Sequence, residues 1–414
     1  MTVTRPSHTV ETRESWVVAT IALIVLTMSY GAPMVTVVAL KPIAEEFATP
    51  RSAPALAISL TYLGAGLGGI AMGWLAERIG TRLVVMGCGS MIALGMVLAS
   101  FGGLYTLYAS NLLLIGLLGA AGMFAPLMTY VTRWFDRRRG SAVALISSGQ
   151  YVAGALWPSV FQFGINGIGW RTTMLVFGVV VLVIIVPLAA IFLRQPPETP
   201  VAASDITAAH ARSALGLPSG LVMSMLAAAV FLCCVTMSMP QAHLVAMCSD
   251  LGIGAERGAI MLSVLLGSAF ISRQFWGWLS DRFGGLPTIL YASAGQAIAM
   301  AGFLVTQDEV GLFSVAAVFG LGFGGLIPGY VLAIRDLFPA AEAGWRIPVV
   351  LFPGSIGMAA GGWIAGAMYD VYGTYGPGFA VGVLANVANL MLIAVLVVRQ
   401  RSRRRALPGY AALS

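Results

Sequence analysis

One arginine carries the clearest chemical signal in the chain. Arg273 sits in SVLLGSAFISRQFWGWLSDRFGG, eight positions before the acid Asp281 and otherwise among apolar residues. In a helix rising about 1.5 Å per residue, its guanidinium lies roughly 12 Å in from that end. An arginine at such depth in an apolar layer costs several kcal/mol unless it faces a wet cavity or a partner. Its planar fork matches a carboxylate through two parallel hydrogen bonds, so it is a candidate anion ligand. The alternatives are snorkelling or a purely structural contact. All 16 acidic residues fall in termini, loops, helix ends or a central linker, so no permanent counter-ion is apparent. An unpaired cation favours an organic anion over a cation or a neutral sugar, and one arginine favours one carboxylate.

The other ionisable side chain within an apolar run is His243, in SMPQAHLVAMCSDLG just after Pro240. Histidine titrates in the physiological range. It could relay a proton, donate to a substrate carboxylate or hydrogen-bond the backbone freed by Pro240. No nucleophile stands beside a base and no carboxylates are paired, which argues against an enzyme. No ligand cluster calls for a metal, no cofactor is implied, and Cys88, Cys233, Cys234 and Cys248 read as buried small hydrophobes. The glycine-rich stretches GAGLGGIAMG and GLGFGGLIPG lack the strand and the lysine of a nucleotide loop, so they read as helix-packing surfaces.

The elements that must position Arg273 and His243 are membrane spans. The chain of 414 residues is 58% hydrophobic and 9% charged, a composition that water cannot disperse. Segments of about 20 residues are apolar all round, enough to cross roughly 30 Å of hydrocarbon as helices. Hydropathy predicts spans at 17–40, 54–76, 82–101, 105–131, 141–164 and 172–193, then at 219–247, 258–280, 286–306, 310–334, 347–368 and 376–398. The chain thus divides into a six-helix half (1–193), a linker rich in proline, alanine and small polar residues (194–218) and a second six-helix half with a basic tail (219–414). The amino-terminal residues carry no cleavable signal pattern. With both termini cytoplasmic, that side takes 18 of the 23 basic residues, while Lys41, Arg51, Arg171 and Arg257 fall opposite. The net charge of +7 is then a topology signal and a contact with anionic lipid headgroups, and needs no nucleic acid. Twenty-two of the 23 basic residues are arginine, which points to a GC-rich bacterial genome and hence to the cytoplasmic (inner) membrane.

An internal repeat supports the two halves. GWLAERIGTR begins at Gly73 and GWLSDRFGG at Gly277, 204 positions later. This glycine, acid, arginine and glycine pattern, in loops after the second and eighth helices, resembles the signature of the major facilitator superfamily. The resemblance implies an all-α membrane protein with twelve transmembrane helices in two pseudo-symmetric halves. Gly73 and Gly277 would permit close helix approach. Glu77, Arg78, Asp281 and Arg282 would form gating contacts that latch the outward-open state.

Within that superfamily, SYGAPMVTVVALKPI (29–43), TRWFDRRRGSAVALISSGQYVAG (132–154) and the Arg273 segment are similar to the monocarboxylate transporters and the related oxalate/formate exchangers. The resemblance implies that Arg273 binds the substrate carboxylate and that Tyr30 lines the site, with Met34 one turn further on the same face. Phe124, Gln150, Tyr330 and Phe352 are candidate lining residues from helices that usually border such cavities, and core packing explains each as well. Two departures matter. Helix 11, VVLFPGSIGMAAGGWIAGAMYD, has no second basic residue, which argues against a small dicarboxylate. Met34 and Ala269 stand where animal monocarboxylate carriers have a lysine and an acid, so their proton route does not transfer. The expectation is a monomeric secondary transporter of a monocarboxylate or similar small organic anion, coupled to protons or to anion exchange, with rocking of the halves about a midplane site. An exporter of amphipathic drugs or metabolites and a non-transporting substrate sensor are the competing readings.

Overall fold

A segment immersed in hydrocarbon must satisfy every backbone N–H and C=O internally, so each apolar run winds into a helix. A computed structural model of the protein describes residues 11–135, 138–194 and 215–406. In chain order the helices are α1 (Arg13–Val38), α2 (Leu40–Glu46), α3 (Ser52–Ile79), α4 (Thr81–Phe101), α5 (Leu104–Ala109), a π-helical segment (Ser110–Ala120), α6 (Ala121–Thr132), α7 (Arg139–Ser147) and α8 (Gly149–Phe192). After the linker come α9 (Ser219–Asp250), α10 (Ala255–Phe283), α11 (Gly285–Val305), α12 (Glu309–Phe323), α13 (Leu326–Leu337), α14 (Ala340–Tyr372) and α15 (Gly376–Ala406). Residues 195–214 of the expected linker lie outside the described residues.

Among the described residues, nine helices are long and apolar enough to cross a membrane, ten when the bent pair Ser52–Gly69 and Ala71–Ile79 counts as one. Two local features separate that number from the hydropathy reading. The continuous stretch Leu145–Phe192 runs through Gly169, whose φ of 78° and ψ of 162° are not helical. Glycine alone reaches that conformation cheaply, and the break falls where the sequence places the turn between two spans. The apolar helix Leu104–Ala120, with its π-helical part, continues into α6 as one divided segment. Several observed helices overrun the predicted spans at their ends, as in Ser52–Ile79 against 54–76, while Arg13–Val38 stops short of the predicted 40.

Buried apolar side chains form two clusters. One draws only on α1 to α8 and their connections; the other is built mainly on α9 to α15 and takes in Val37, Leu40, Ala55, Ile58 and Tyr151 from the first half. The repeat is visible in the backbone: Gly80 and Gly284, 204 positions apart, end α3 and α10 with φ of 90° and 84°.

The glycines of the repeat do not pack as expected. A Cβ added at Gly73 or Gly277 would meet nothing within 4 Å, so neither brings helices together in this conformation. The close approach lies further into α3, where a Cβ at Gly68 would stand 2.0 Å from the Leu117 carbonyl oxygen and one at Gly64 2.2 Å from that of Leu112. Gly68→Ala is therefore expected to lower the Tm of the purified protein by several degrees, since backbone must move. Gly73→Ala should leave Tm unchanged or raise it, alanine being the better helix former. Equal losses in the two variants would refute this placement of the contact.

Candidate functional site

Arg273 reaches across the molecule. It projects from α10, half-buried, and its Nη1 donates to the Ser147 carbonyl oxygen at the end of α7, 3.1 Å away. The guanidinium carbon lies 5.2 Å from the centre of the Tyr151 ring on α8, within cation–π range. A helix of the second half is thereby joined to two helices of the first. No carboxylate pairs with Arg273 among the described residues. Its contact with a backbone oxygen could not be foreseen from the sequence.

Two tyrosines from different helices stand within reach of this guanidinium's charge. They are Tyr30 on α1 and Tyr151 on α8, and Tyr62 on α3 lies near Tyr30. Tyr30 meets Phe124 of α6 edge-on at 6.5 Å, and Tyr151 meets Phe323 of α12 at 6.2 Å. Arg273, Tyr30 and Phe124 are thus brought together. Tyr62 and Tyr151 were missed in the sequence. Their signal was a phenol set on an otherwise apolar helix, too common to single out. Gln150, half-buried, immediately precedes Tyr151, and Met34 is buried one turn beyond Tyr30.

Two further candidates are held by contacts of their own. Tyr330 is wholly buried in the second half, where its hydroxyl donates to Asn389 Oδ1 at 2.9 Å; Asn389 and Asn386 extend that polar network to Ser293 and Gln296. Phe352 packs where α14 meets α3, its ring 3.2 Å from a Cβ built at Gly66.

His243 belongs to another assembly, a latch between the halves at the end of the bundle opposite the Gly80 and Gly284 turns. Arg51, at the start of α3, makes a two-pronged pair with Asp250 at the end of α9 through Nη1 to Oδ2 and Nη2 to Oδ1, the latter 2.6 Å. Lys41 adds a 3.5 Å contact to the same carboxylate. Asp370 of α14 accepts the backbone N–H groups of Arg51 and Ser52 at 2.7 and 2.9 Å, an anion placed on the amino-terminal end of α3. Arg51 Nη1 also donates to the Tyr375 hydroxyl, and its guanidinium lies over the Tyr369 ring at 4.1 Å. His243 Nε2 lies 2.7 Å from the Gly362 carbonyl oxygen and must carry a hydrogen, while Nδ1 has no hydrogen-bond partner among the described residues; the ring lies 5.2 Å from that of Tyr375. Its partner carbonyl is on α14, so the histidine ties two helices instead of repairing its own helix at Pro240.

At the other end, the described arginines of the repeat motif make contacts within their own halves. Arg78 lies over Trp74 at 3.8 Å and Arg282 over Trp278 at 4.1 Å, matching contacts within each half. Glu77 is exposed, and the side chain of Asp281 lies outside the described atoms. Among the described residues, every ion pair that joins the two halves converges on Asp250. Among the described residues, the ion pairs between the halves therefore lie at the Asp250 end, and none involves Glu77, Arg78 or Arg282. A cavity of about 730 Å³ lies beside the Gly80 turn, and none of its lining residues belongs to the Arg273 cluster.

The sequence matches the family model described as Major Facilitator Superfamily over residues 19–344 and 224–412. Monocarboxylate transporter 11 of Mus musculus is 30% identical over 399 residues, covering 91% of this chain and 78% of that protein. Monocarboxylate transporter 13 of Rattus norvegicus is 28% identical over 351 residues, 81% of this chain and 77% of that protein. The uncharacterized MFS-type transporter YcxA of Bacillus subtilis (strain 168) is 22% identical over 80% of this chain and 82% of its own length. Among solved structures, a bacterial homolog to the human lysosomal transporter Spinster, inward-facing and unoccupied, superposes with a TM-score of 0.73 at 14% identity, covering 95% of this chain and 98% of that one. A mutant of the nucleoside transporter NupG gives a TM-score of 0.73 at 12% identity, with 93% and 99% covered. At these identities the two structures speak for the fold alone.

Proposed function

Because the chain belongs to the major facilitator superfamily and to its monocarboxylate-transporter-like family, we propose that it carries a monocarboxylate or similar small organic anion across the membrane by alternating access. The observation that carries this reading is Arg273, a half-buried guanidinium among tyrosines with no carboxylate paired to it among the described residues. A carboxylate entering there trades a single neutral backbone acceptor for a charge-assisted, two-pronged partner. Tyr30 and Tyr151 offer hydroxyls to hold its second edge, and Phe124 with Met34 would bound the apolar remainder.

The chain crosses the membrane twelve times in this reading, with Leu145–Phe192 and Leu104–Thr132 supplying the crossings that length alone does not count separately. Both termini face the cytoplasm, in keeping with the arginine-rich loops at the Gly80 end, and the Asp250 latch closes the outward face. The conformation is then inward-facing. Rocking about the Arg273 layer would break the latch and let the two repeat motifs engage. Arg273 is suited to take part in that motion, since its hydrogen bond to Ser147 joins the halves and is the contact an incoming anion competes for.

Coupling to protons or to a second anion is decided by flux measurements. In proteoliposomes, labelled lactate, pyruvate and formate are taken up, and either an imposed pH gradient or a preloaded internal anion accelerates that uptake. Dependence on internal anion with indifference to the gradient identifies exchange, and the converse identifies symport. No carboxylate uptake under either condition refutes the proposal.

A further inference from the structure

The cavity beside the Gly80 turn has a rim and a wall of different chemistry. Its rim carries three guanidiniums, Arg82 from the first turn of α4, Arg133 from the end of α6 and Arg194 from just past α8, against one acid, Glu77. All three arginine side chains are exposed, and no carboxylate pairs with any of them among the described residues. The wall is apolar, and two of its residues face outward: Ile79 is 47% exposed and Leu83 56%. These side chains stand at the ends of membrane-spanning helices, so the surface they present is the one that meets lipid. The volume, about 730 Å³, is that of a ligand site and not of a crevice for a few waters.

The repeat supplies an internal control. At the equivalent turn of the second half, Leu286 stands where Arg82 does, 204 positions on. There Asp336 Oδ2 accepts the Gly285 N–H at 2.9 Å, and a Cβ at Gly285 would lie 2.2 Å from the Ala333 nitrogen. That corner is packed shut. The open basic pocket of the first half is therefore not a by-product of the turn.

A free aqueous anion has no use for an outward apolar wall, and a neutral lipid has none for three unpaired guanidiniums. We propose that this cavity binds the phosphate of an anionic phospholipid, with Arg82, Arg133 and Arg194 around the headgroup and the acyl chains along Ile79, Leu83 and Met86. The site stands apart from Arg273 and does not rest on the carboxylate reading.

The test uses the purified full chain in detergent, titrated with phosphatidylglycerol, phosphatidylcholine or inorganic phosphate while thermal unfolding is followed. Phosphatidylglycerol raises Tm by several degrees where the other two do not. Combining Arg82→Ala with Arg133→Ala weakens that response about 25-fold, roughly fivefold for each arginine near the membrane surface. Arg257→Ala, at the opposite end, retains the full response. A shift as large with phosphatidylcholine overturns the proposal, as does an undiminished shift in the double variant. A shift reproduced by inorganic phosphate alone overturns the lipid in favour of a soluble anion. Should the double variant not fold, native mass spectrometry of the unaltered protein in an equimolar lipid mixture decides. One retained phosphatidylglycerol per chain supports the site, and equal retention of both lipids overturns it.

Discussion

Arg273→Ala is expected to cut carboxylate uptake into proteoliposomes about 100-fold or more while the protein still folds and inserts. Losing a charge-assisted, two-pronged contact in a site shielded from bulk water costs on the order of 3 kcal/mol, and each 1.4 kcal/mol is a factor of ten. Stability should change little or rise, because among the described residues the wild-type guanidinium has the Ser147 oxygen and the Tyr151 face, and no carboxylate, to offset its burial. Arg273→Lys is the sharper variant. It keeps the charge but not the fork, so tenfold or more of the flux should be lost. A carrier of amphipathic compounds would transport its substrates equally well with lysine. Uptake of lactate or pyruvate that survives Arg273→Lys at the wild-type rate would remove the arginine from the site and leave only the fold.

The contrast between Arg273 and the latch marks how far the sequence could be read. The spans were legible because hydrocarbon imposes one requirement on every segment, and the repeat at Gly73 and Gly277 exposed the halves because it is short and local. Arg273 stood out since its type contradicts its surroundings. Gly169 did not, although its non-helical backbone turns the chain inside one continuous helical stretch. One glycine among 50 carries no mark of its conformation. The tyrosines near Arg273 come from α1 and α8, and phenols are ordinary core residues, so only their convergence has meaning. His243 was visible as a titratable group, but its partner, the Gly362 oxygen, lies 119 positions away on another helix. Contacts between the halves follow no period in the sequence. They arise from how two units dock, which neither unit's pattern specifies alone.

The latch supplies the second large effect. Arg51 and Asp250 are 199 positions apart, and their side chains are 12% and 21% exposed. Exposed pairs contribute about 0–1 kcal/mol, whereas breaking a buried one costs roughly 3–5 kcal/mol. A mostly shielded pair with two prongs falls between, near 2 kcal/mol. Under the proposed alternating access the pair forms only when the Asp250 end is closed, so Asp250→Asn should move the equilibrium between closed and open forms about 30-fold towards opening at that end. Asp370 and Tyr375 still hold Arg51, so the protein should remain folded. The readout is maleimide labelling of a cysteine introduced at Ala242, a buried α9 position 3.8 Å from a Cβ built at Gly362. All four native cysteines are buried, which keeps the background low. Labelling should rise at least tenfold in Asp250→Asn and return towards the original rate in Asp250→Glu, whose longer arm keeps the charge within reach of Arg51. If the asparagine variant labels no faster than the parent, the pair is a bystander, and closure at that end rests on helix packing between α3 and α14, where Ser59 Oγ donates to the Ala359 oxygen at 2.6 Å.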